Sequence, residues 1–174
     1  MILKSFKEKA IDKIIRRELQ SQRNKGGATL GEVRSLALII NYDQLADFKP
    51  LLNLAADLSV SNDQVYILGY VEKIHKKVNY MIPVFSEASV KTSGEVKSGT
   101  VKDFLGREYD LLVNYYKDNN PVMQLMSVHT RAKLKVGVSE GLSAINDLTL
   151  LTGTENFNEF RQELVKYLKI LNKQ

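Results

Sequence analysis

The pattern of apolar and polar positions along this chain predicts short buried strands separated by amphipathic helices. A continuous apolar run at residues 36–40 is typical of a strand that is buried on both faces of a parallel sheet, and residues 65–71 and 109–114 predict two more strands. Residues 134–138 and 148–151 predict two further strands of the same kind. We therefore expect a sheet of about five strands.

Between these runs, apolar residues recur at the spacing of one helical face. The helices predicted in this way occupy residues 48–58, 101–106, 120–129 and 157–171. Polar side chains suited to capping precede three of them: Asp47, Asn120 followed by Pro121, and Asn156 with Glu159 at capping-box spacing.

The pattern is least regular in the middle of the chain. Residues 78–85 are either a short strand or an extended connector, because Pro83 argues against a central strand. Residues 86–100 are polar and contain two Ser-Gly pairs, so we expect a surface loop there.

Strands that alternate with helices predict an α/β protein. We expect three layers in a Rossmann-like or flavodoxin-like arrangement, with helices on both faces of a mostly parallel sheet and a basic N-terminal helix in front of it. We divide the chain into a helical arm, residues 1–25, and a single α/β domain, residues 26–174, because no repeat or linker interrupts the latter.

The N-terminal arm carries the whole net charge of the protein. Residues 1–25 hold eight basic and three acidic side chains, and the rest of the chain is balanced, for a total of +5. Leu3, Ala10, Ile11 and Ile14 are predicted to share one helical face, flanked by Phe6 and Ile15, while the basic residues lie opposite. The Gly26-Gly27 pair is predicted to end the helix.

Composition excludes several kinds of chemistry. The chain has no cysteine, so disulfides and thiolate metal sites are excluded, and its two histidines are too few for a zinc centre or a hydrolase triad. No phosphate-loop or dinucleotide-binding motif occurs. No apolar run approaches the ~18 residues of a membrane span, and no secretory signal opens the chain. We expect a cytoplasmic protein without a cofactor or metal.

Polar residues at the carboxyl ends of the predicted strands mark one possible ligand site, because ligands of parallel sheets bind at that edge. The residues are Asn41 and Asp43, Tyr70, Asn114 and Tyr115, and Ser139 and Glu140. Asp43 and Glu140 are an acid–base candidate, and the tyrosines could line a nucleobase or a sugar. Loops between strands and helices are polar in any case, so these residues are equally consistent with a purely structural role.

The segments SLALIIN, VYILGYV, YDLLVN, RAKLKVGV and ELVKYLKILNK, in this order after a basic helix, resemble a bacterial family of short uncharacterised α/β proteins. That resemblance implies the fold and a bacterial cytoplasmic setting. YDLLVN and RAKLKVGV also resemble one Rossmann-type half of heptosyltransferase-like sugar transferases, which enclose a nucleotide-sugar between two halves. Asn114 stands here where related sequences often have an acidic residue.

These observations favour a non-enzymatic binding or accessory protein whose N-terminal helix contacts an anionic partner, with RNA or a ribonucleoprotein as the favoured partner. The residues expected to make this contact are Lys9, Lys13, Arg16, Arg17 and Arg23. Three alternatives stay open: a purely structural N-terminal helix that packs its apolar side on the body and leaves its basic side solvated, an enzyme-like half domain that binds a nucleotide or nucleotide-sugar at the strand ends, and a peripheral protein of the membrane surface.

Overall fold

The computed structural model describes residues 2–24, 29–45 and 47–172. The described helices are α1 (Ile2–Arg23), α2 (Lys49–Asp57), α3 (Gly99–Leu105), α4 (Pro121–His129) and α5 (Phe157–Asn172). The described strands are β1 (Leu36–Asn41), β2 (Val65–Tyr70), β3 (Val84–Phe85), β4 (Glu108–Tyr115), β5 (Arg131–Gly137) and β6 (Leu148–Thr149). The predicted helix stop at Gly26-Gly27 lies outside the described residues.

The strands within the described ranges form one six-stranded parallel sheet in the order β3-β2-β1-β4-β5-β6. This confirms the predicted α/β class, with one strand more than the five expected, because residues 84–85 pair with the end of β2. The order is that of the Rossmann-like alternative rather than the flavodoxin-like one. Its direction reverses between β1 and β4, so the carboxyl ends of these two strands form the topological switch point.

The sheet is covered on both faces, which explains the continuous apolar runs. In β1, residues 36–40 are all buried, and alternate side chains belong to the two opposite cores. Helices α1, α3 and α4 supply one core, and α2 and α5 supply the other. Burial of this kind is the main favourable term in the folding of such a domain.

Helix α1 lies against the first of these cores, with Ile11 1% and Ile15 8% exposed. Leu3 and Phe6, which were predicted on and beside the apolar side of this helix, are not buried with Ile11, since they are 73% and 58% exposed. Contact with the core begins only in the third turn, at Ile11, so the first two turns extend past it. Nothing in the structure tests the proposed division at residue 25.

The prediction that residues 86–100 form a surface loop holds for most of the segment, since nine of its fifteen residues are exposed, but the segment is also anchored in the core. A bridge between Val90 and Val96 folds it back on itself, and both valines are buried in the core beneath α1. Gly94 has a φ of +88° and lies so close to α1 that a Cβ there would be 2.5 Å from Ile14 Cδ1. Only glycine combines that backbone conformation with that approach.

The predicted helix caps are confirmed by hydrogen bonds. Asn120 Oδ1 accepts from the backbone N–H groups of Val122 and Met123 at 3.0 and 3.2 Å, and Pro121 begins α4. Asn156 Oδ1 accepts from Glu159 N at 3.1 Å, next to the start of α5. Asp47 Oδ1 accepts from Lys49 N at 3.0 Å at the start of α2.

Candidate functional site

The five basic residues proposed for partner binding lie on the exposed surface of α1. They are Lys9, Lys13, Arg16, Arg17 and Arg23. Arg16 pairs with Asp12 at 3.1 Å, one turn earlier, and both side chains are exposed, so the pair leaves the guanidinium accessible. Within the described ranges, the other four make no ion pair.

These cations form a fixed array because the opposite side of the same helix is held in the core. Ile11 and Ile15 anchor the middle of α1, and Gln22 Nε2 donates to Val128 O at 3.1 Å near its end. At 1.5 Å per residue, Lys9 and Arg23 are separated by about 21 Å along the helix axis. Arg17 also lines a shallow hollow of about 450 Å³, where Lys102 of α3 and the carboxylates Glu18 and Glu95 balance its charge.

A crevice of about 460 Å³ opens at the carboxyl edge of the sheet, between the start of α1, the end of β2 and the start of α4. Its charged lining is mostly acidic, since Lys4 and Lys7 face the four carboxylates Glu8, Glu72, Glu87 and Asp118. Of the seven residues predicted for a ligand site, only Tyr70 lines it. The pKa of Tyr70 is raised, chiefly because burial disfavours its charged form.

Asn41 and Asp43 stabilise the loops behind this crevice. Asn41 Nδ2 donates to Asp118 Oδ2 at 3.1 Å, across the switch point, and Gln44 Nε2 donates to the other oxygen at 3.4 Å. Asn41 Oδ1 is buried without a hydrogen-bond partner among the described residues. Asp43 Oδ2 accepts from Glu72 N at 2.8 Å, which ties the end of β1 to the end of β2.

Asn114 and Tyr115 lie in the core rather than in the crevice, because consecutive side chains of a strand point to opposite covered faces. Tyr115 packs against Phe157 and Phe160 with ring centroids 5.2 and 5.3 Å away, and burial raises its pKa to about 12. Its hydroxyl has no hydrogen-bond partner in the described part of the chain.

Asn114 belongs to a buried polar network that joins three elements. Its Nδ2 donates to Asn146 Oδ1 at 2.7 Å, and its Oδ1 accepts from Ser127 Oγ at 2.7 Å. Ser127 Oγ lies 2.6 Å from the hydroxyl of Tyr116. Since the single proton of Ser127 goes to Asn114, the Tyr116 hydroxyl is the donor in that last bond. The network holds β4, α4 and the 3-10 turn before β6 together.

Ser139 and Glu140 follow β5, which is separated from β1 by β4. Two strand spacings correspond to about 10 Å, so Asp43 and Glu140 are not placed as an acid–base pair that shares a proton. Glu140 is exposed and begins a 3-10 segment, Glu140–Ile145.

Sequence reasoning missed Lys135, whose side chain is 6% exposed. Its Nζ donates to the carbonyls of Ser127 and Val128 at 3.0 and 3.3 Å, so it satisfies the end of α4. Burial lowers its pKa to about 8, and burial also lowers the pKa of the nearby His129. Both line a groove of about 670 Å³ beside Arg23. The only signal in the sequence is a lysine within an otherwise apolar run.

No group of three or more metal-ligating side chains converges anywhere in residues 2–24, 29–45 or 47–172. Over the same ranges, each helix is too short or too polar to cross a bilayer.

The strand order and the two covered faces define an α/β protein of Rossmann-like arrangement. The chain belongs to a family of unknown function, DUF6913, whose model matches residues 7–171. No curated protein and no solved structure matches the chain. The family match confirms membership of an uncharacterised family, whereas the likeness to sugar transferases and the bacterial origin stay predictions.

Proposed function

We propose that this protein is a non-enzymatic accessory protein that binds RNA, as part of a ribonucleoprotein, through the exposed surface of α1. The observation that supports the proposal is the fixed array of Lys9, Lys13, Arg16, Arg17 and Arg23, of which only Arg16 has an ion-pair partner among the described residues. Cations that are free of carboxylates can replace the counterions of a phosphate backbone, which gives salt-dependent binding.

The geometry of α1 favours RNA over insertion of this helix into a membrane. An amphipathic helix binds lipid through its apolar side, and the central apolar side of α1 is already buried against α4 and the sheet. Only the basic side of its middle and last turns is accessible. A rigid row of cations about 21 Å long fits a backbone that carries regularly spaced phosphates.

The alternative of a nucleotide or nucleotide-sugar site draws its support from the crevice at the switch point. The charge of the crevice lining disfavours such a ligand, because its four carboxylates outnumber its two lysines and repel a diphosphate. Asn114 and Tyr115, which the enzyme-like alternative requires at the strand ends, are buried in the core. We therefore rank this alternative below RNA binding. We propose that the protein acts in the bacterial cytoplasm, as the family resemblance implies.

The test compares two variants with the same change in charge. Lys13→Gln/Arg17→Gln/Arg23→Gln removes three cations from α1, and Lys49→Gln/Lys166→Gln/Lys169→Gln removes three exposed lysines from α2 and α5, on the other face of the sheet. Each lowers the formal net charge from +5 to +2. Co-sedimentation from native lysate, at low and high salt and with or without ribonuclease, measures the association.

We expect the wild type and the α5/α2 control to sediment with ribonucleoprotein at low salt, and the α1 variant to stay in the supernatant. Ribonuclease and high salt should release the bound protein. Equal sedimentation of the two triple variants would contradict the proposal, because it would mean that only net charge matters. A wild type that never sediments at low salt would contradict it as well.

A further inference from the structure

A second surface of the molecule combines exposed apolar side chains with lysines, at the carboxyl edge of the sheet. It consists of two segments, residues 2–9 of α1 and the loop 72–81 after β2, and we call it the rim. Large apolar side chains in both segments are exposed to solvent: Ile2 75%, Leu3 73%, Phe6 58%, Ile74 40%, Val78 49% and Met81 82%.

The two segments are neighbours in space. Lys7 of α1 and Lys73 and Ile74 of the loop line one hollow of about 590 Å³. Lys7 Nζ donates to Glu87 O at 2.6 Å on the floor of that hollow. The start of the loop therefore adjoins α1 at this edge of the sheet.

The loop holds its apolar side chains outward although its backbone is fixed. Asp43 accepts from Glu72 N, and the Tyr80 hydroxyl accepts from His75 N at 3.0 Å. The Tyr80 ring packs edge-on against Tyr42 with centroids 5.5 Å apart. A loop held in this way cannot fold Ile74, Val78 and Met81 inward, so they are available to a partner.

The charge of the rim identifies that partner as anionic. The two segments contain six lysines, Lys4, Lys7, Lys9, Lys73, Lys76 and Lys77, and two carboxylates, Glu8 and Glu72. When Glu87 and Asp118 are counted as well, because they share the crevice with Lys4 and Lys7, this edge still carries two more cations than carboxylates. None of the six lysines makes an ion pair within the described residues, and all except the half-buried Lys7 are exposed.

We propose that the rim docks onto an anionic lipid surface, with its apolar side chains in the acyl boundary and its lysines at the headgroups. Five of the six exposed apolar side chains are not aromatic, and the two segments contain no arginine, whereas RNA binding uses aromatic and guanidinium planes that stack on bases. A phosphatidylserine-rich leaflet uses both components of the rim, because lysine stems reach the headgroups while leucine, isoleucine and phenylalanine bury apolar area.

This attachment shares only Lys9 with the residues proposed to bind RNA. Phe6 and Arg23 are separated by about 25 Å along α1, so a membrane at the first turns leaves the last turns free. The protein would then hold RNA close to a membrane without crossing it. The lipid proposal does not depend on the RNA proposal, and each has its own variants.

The test is flotation of the full chain with vesicles of phosphatidylcholine, with or without phosphatidylserine. Leu3→Gln/Phe6→Gln removes apolar contacts at constant charge, and Lys73→Gln/Lys76→Gln/Lys77→Gln removes charge at constant apolar area. Leu151→Gln/Ile170→Gln and the α2/α5 lysine variant are the matched controls, since these residues are also exposed. Thermal unfolding of each variant checks that it is folded.

We expect binding only to vesicles that contain phosphatidylserine. The apolar double variant should bind at least about tenfold more weakly, and the lysine variant on the order of a hundredfold, since each lysine at an anionic surface contributes about fivefold. The controls should bind as the wild type does.

Binding to phosphatidylserine vesicles that survives in the apolar double variant would overturn the proposal, as would a wild type that does not float. The other possible occupants of the rim would overturn it too. Loss of RNA affinity in Leu3→Gln/Phe6→Gln without vesicle binding would assign the rim to RNA, and rim-dependent dimerisation in sedimentation equilibrium would assign it to a second copy of the chain.

Discussion

The buried network around Ser127 allows a quantitative test of how this fold is held together. Ser127 is fully buried, and its hydroxyl serves both Asn114 and Tyr116, which are each 1% exposed. Among the described residues, Ser127→Ala removes the one hydrogen bond of the Tyr116 hydroxyl and the Ser127 bond to Asn114 Oδ1. Burial raises the pKa of Tyr116, so its hydroxyl stays protonated. In Ser127→Ala this buried O–H group therefore loses the oxygen to which it donates.

The magnitude follows from counting the groups left unsatisfied. A buried polar group without a partner costs about 1–3 kcal/mol, so the two groups left by Ser127→Ala should lower the free energy of unfolding by about 2–6 kcal/mol. Tyr116→Phe removes one bond but leaves Ser127 bonded to Asn114, so its cost should be about 1 kcal/mol. In a chain of 174 residues, the larger loss lowers Tm by on the order of 10 °C.

The double variant gives the sharpest result. In the Ser127→Ala background, Tyr116→Phe removes a hydroxyl that is already unsatisfied, so the double variant should be at least as stable as Ser127→Ala alone. Urea unfolding of the wild type, both single variants and the double variant measures this cycle. Additive losses, or a Tyr116→Phe loss as large as that of Ser127→Ala, would refute the reasoning.

Three further predictions concern other parts of the fold. Gly137→Ala should lower the free energy of unfolding by more than about 2 kcal/mol, because a Cβ there would lie 2.1 Å from Asn146 Nδ2 and expel that side chain from the network. Gly99 has open space around it, so Gly99→Ala should be neutral or slightly stabilising in the same urea assay. Ile11→Ala should cost about 2–5 kcal/mol and Leu3→Ala less than about 0.5, and equal losses would show that α1 is a detachable arm. The pKa of Lys135 is about 8 in the folded protein, below its ordinary value of 10.5, so the unfolded chain binds the proton more strongly. The wild type should therefore gain stability relative to Lys135→Met as the pH rises from 8 towards 10. Parallel pH profiles of the two proteins over that range would contradict the burial of Lys135. Measurements stop near pH 10, because above it Tyr109 and Tyr115 lose their protons more readily in the unfolded chain than in the fold, which lowers stability.

The architecture could be predicted from the sequence because its elements are locally encoded. A strand buried on both faces must be apolar throughout, as 36–40 is, and caps such as Asn120-Pro121 act within a few residues. The strand order could not be predicted, because it depends on which crossovers pack, and β3 has only two residues. The burial of Val90 and Val96 could not be predicted, because it depends on α1, which lies far away in sequence.

The candidate sites were predictable only in part, for the same reason. The charge of α1 is a local property, and all five proposed basic residues are exposed. Whether a polar residue at a strand end faces a crevice or the core depends on the pleat of the strand and on the helix that covers it. For this reason Tyr70 lies in the lining of the crevice, whereas Asn114 lies in the core. The role of Lys135 could be found only from the structure, because its hydrogen-bond partners are carbonyls in the last turn of α4.

The proposal that α1 binds RNA is tested most directly by the salt dependence of binding to a single-stranded RNA oligonucleotide. Five phosphate contacts predict a slope of log K against log salt of about −3.5, and Lys13→Gln/Arg17→Gln/Arg23→Gln should reduce its magnitude by about 2. Lys49→Gln/Lys166→Gln/Lys169→Gln should leave the slope unchanged. Equal slopes for the α1 variant and the wild type, or equal reductions in both variants, would contradict the account.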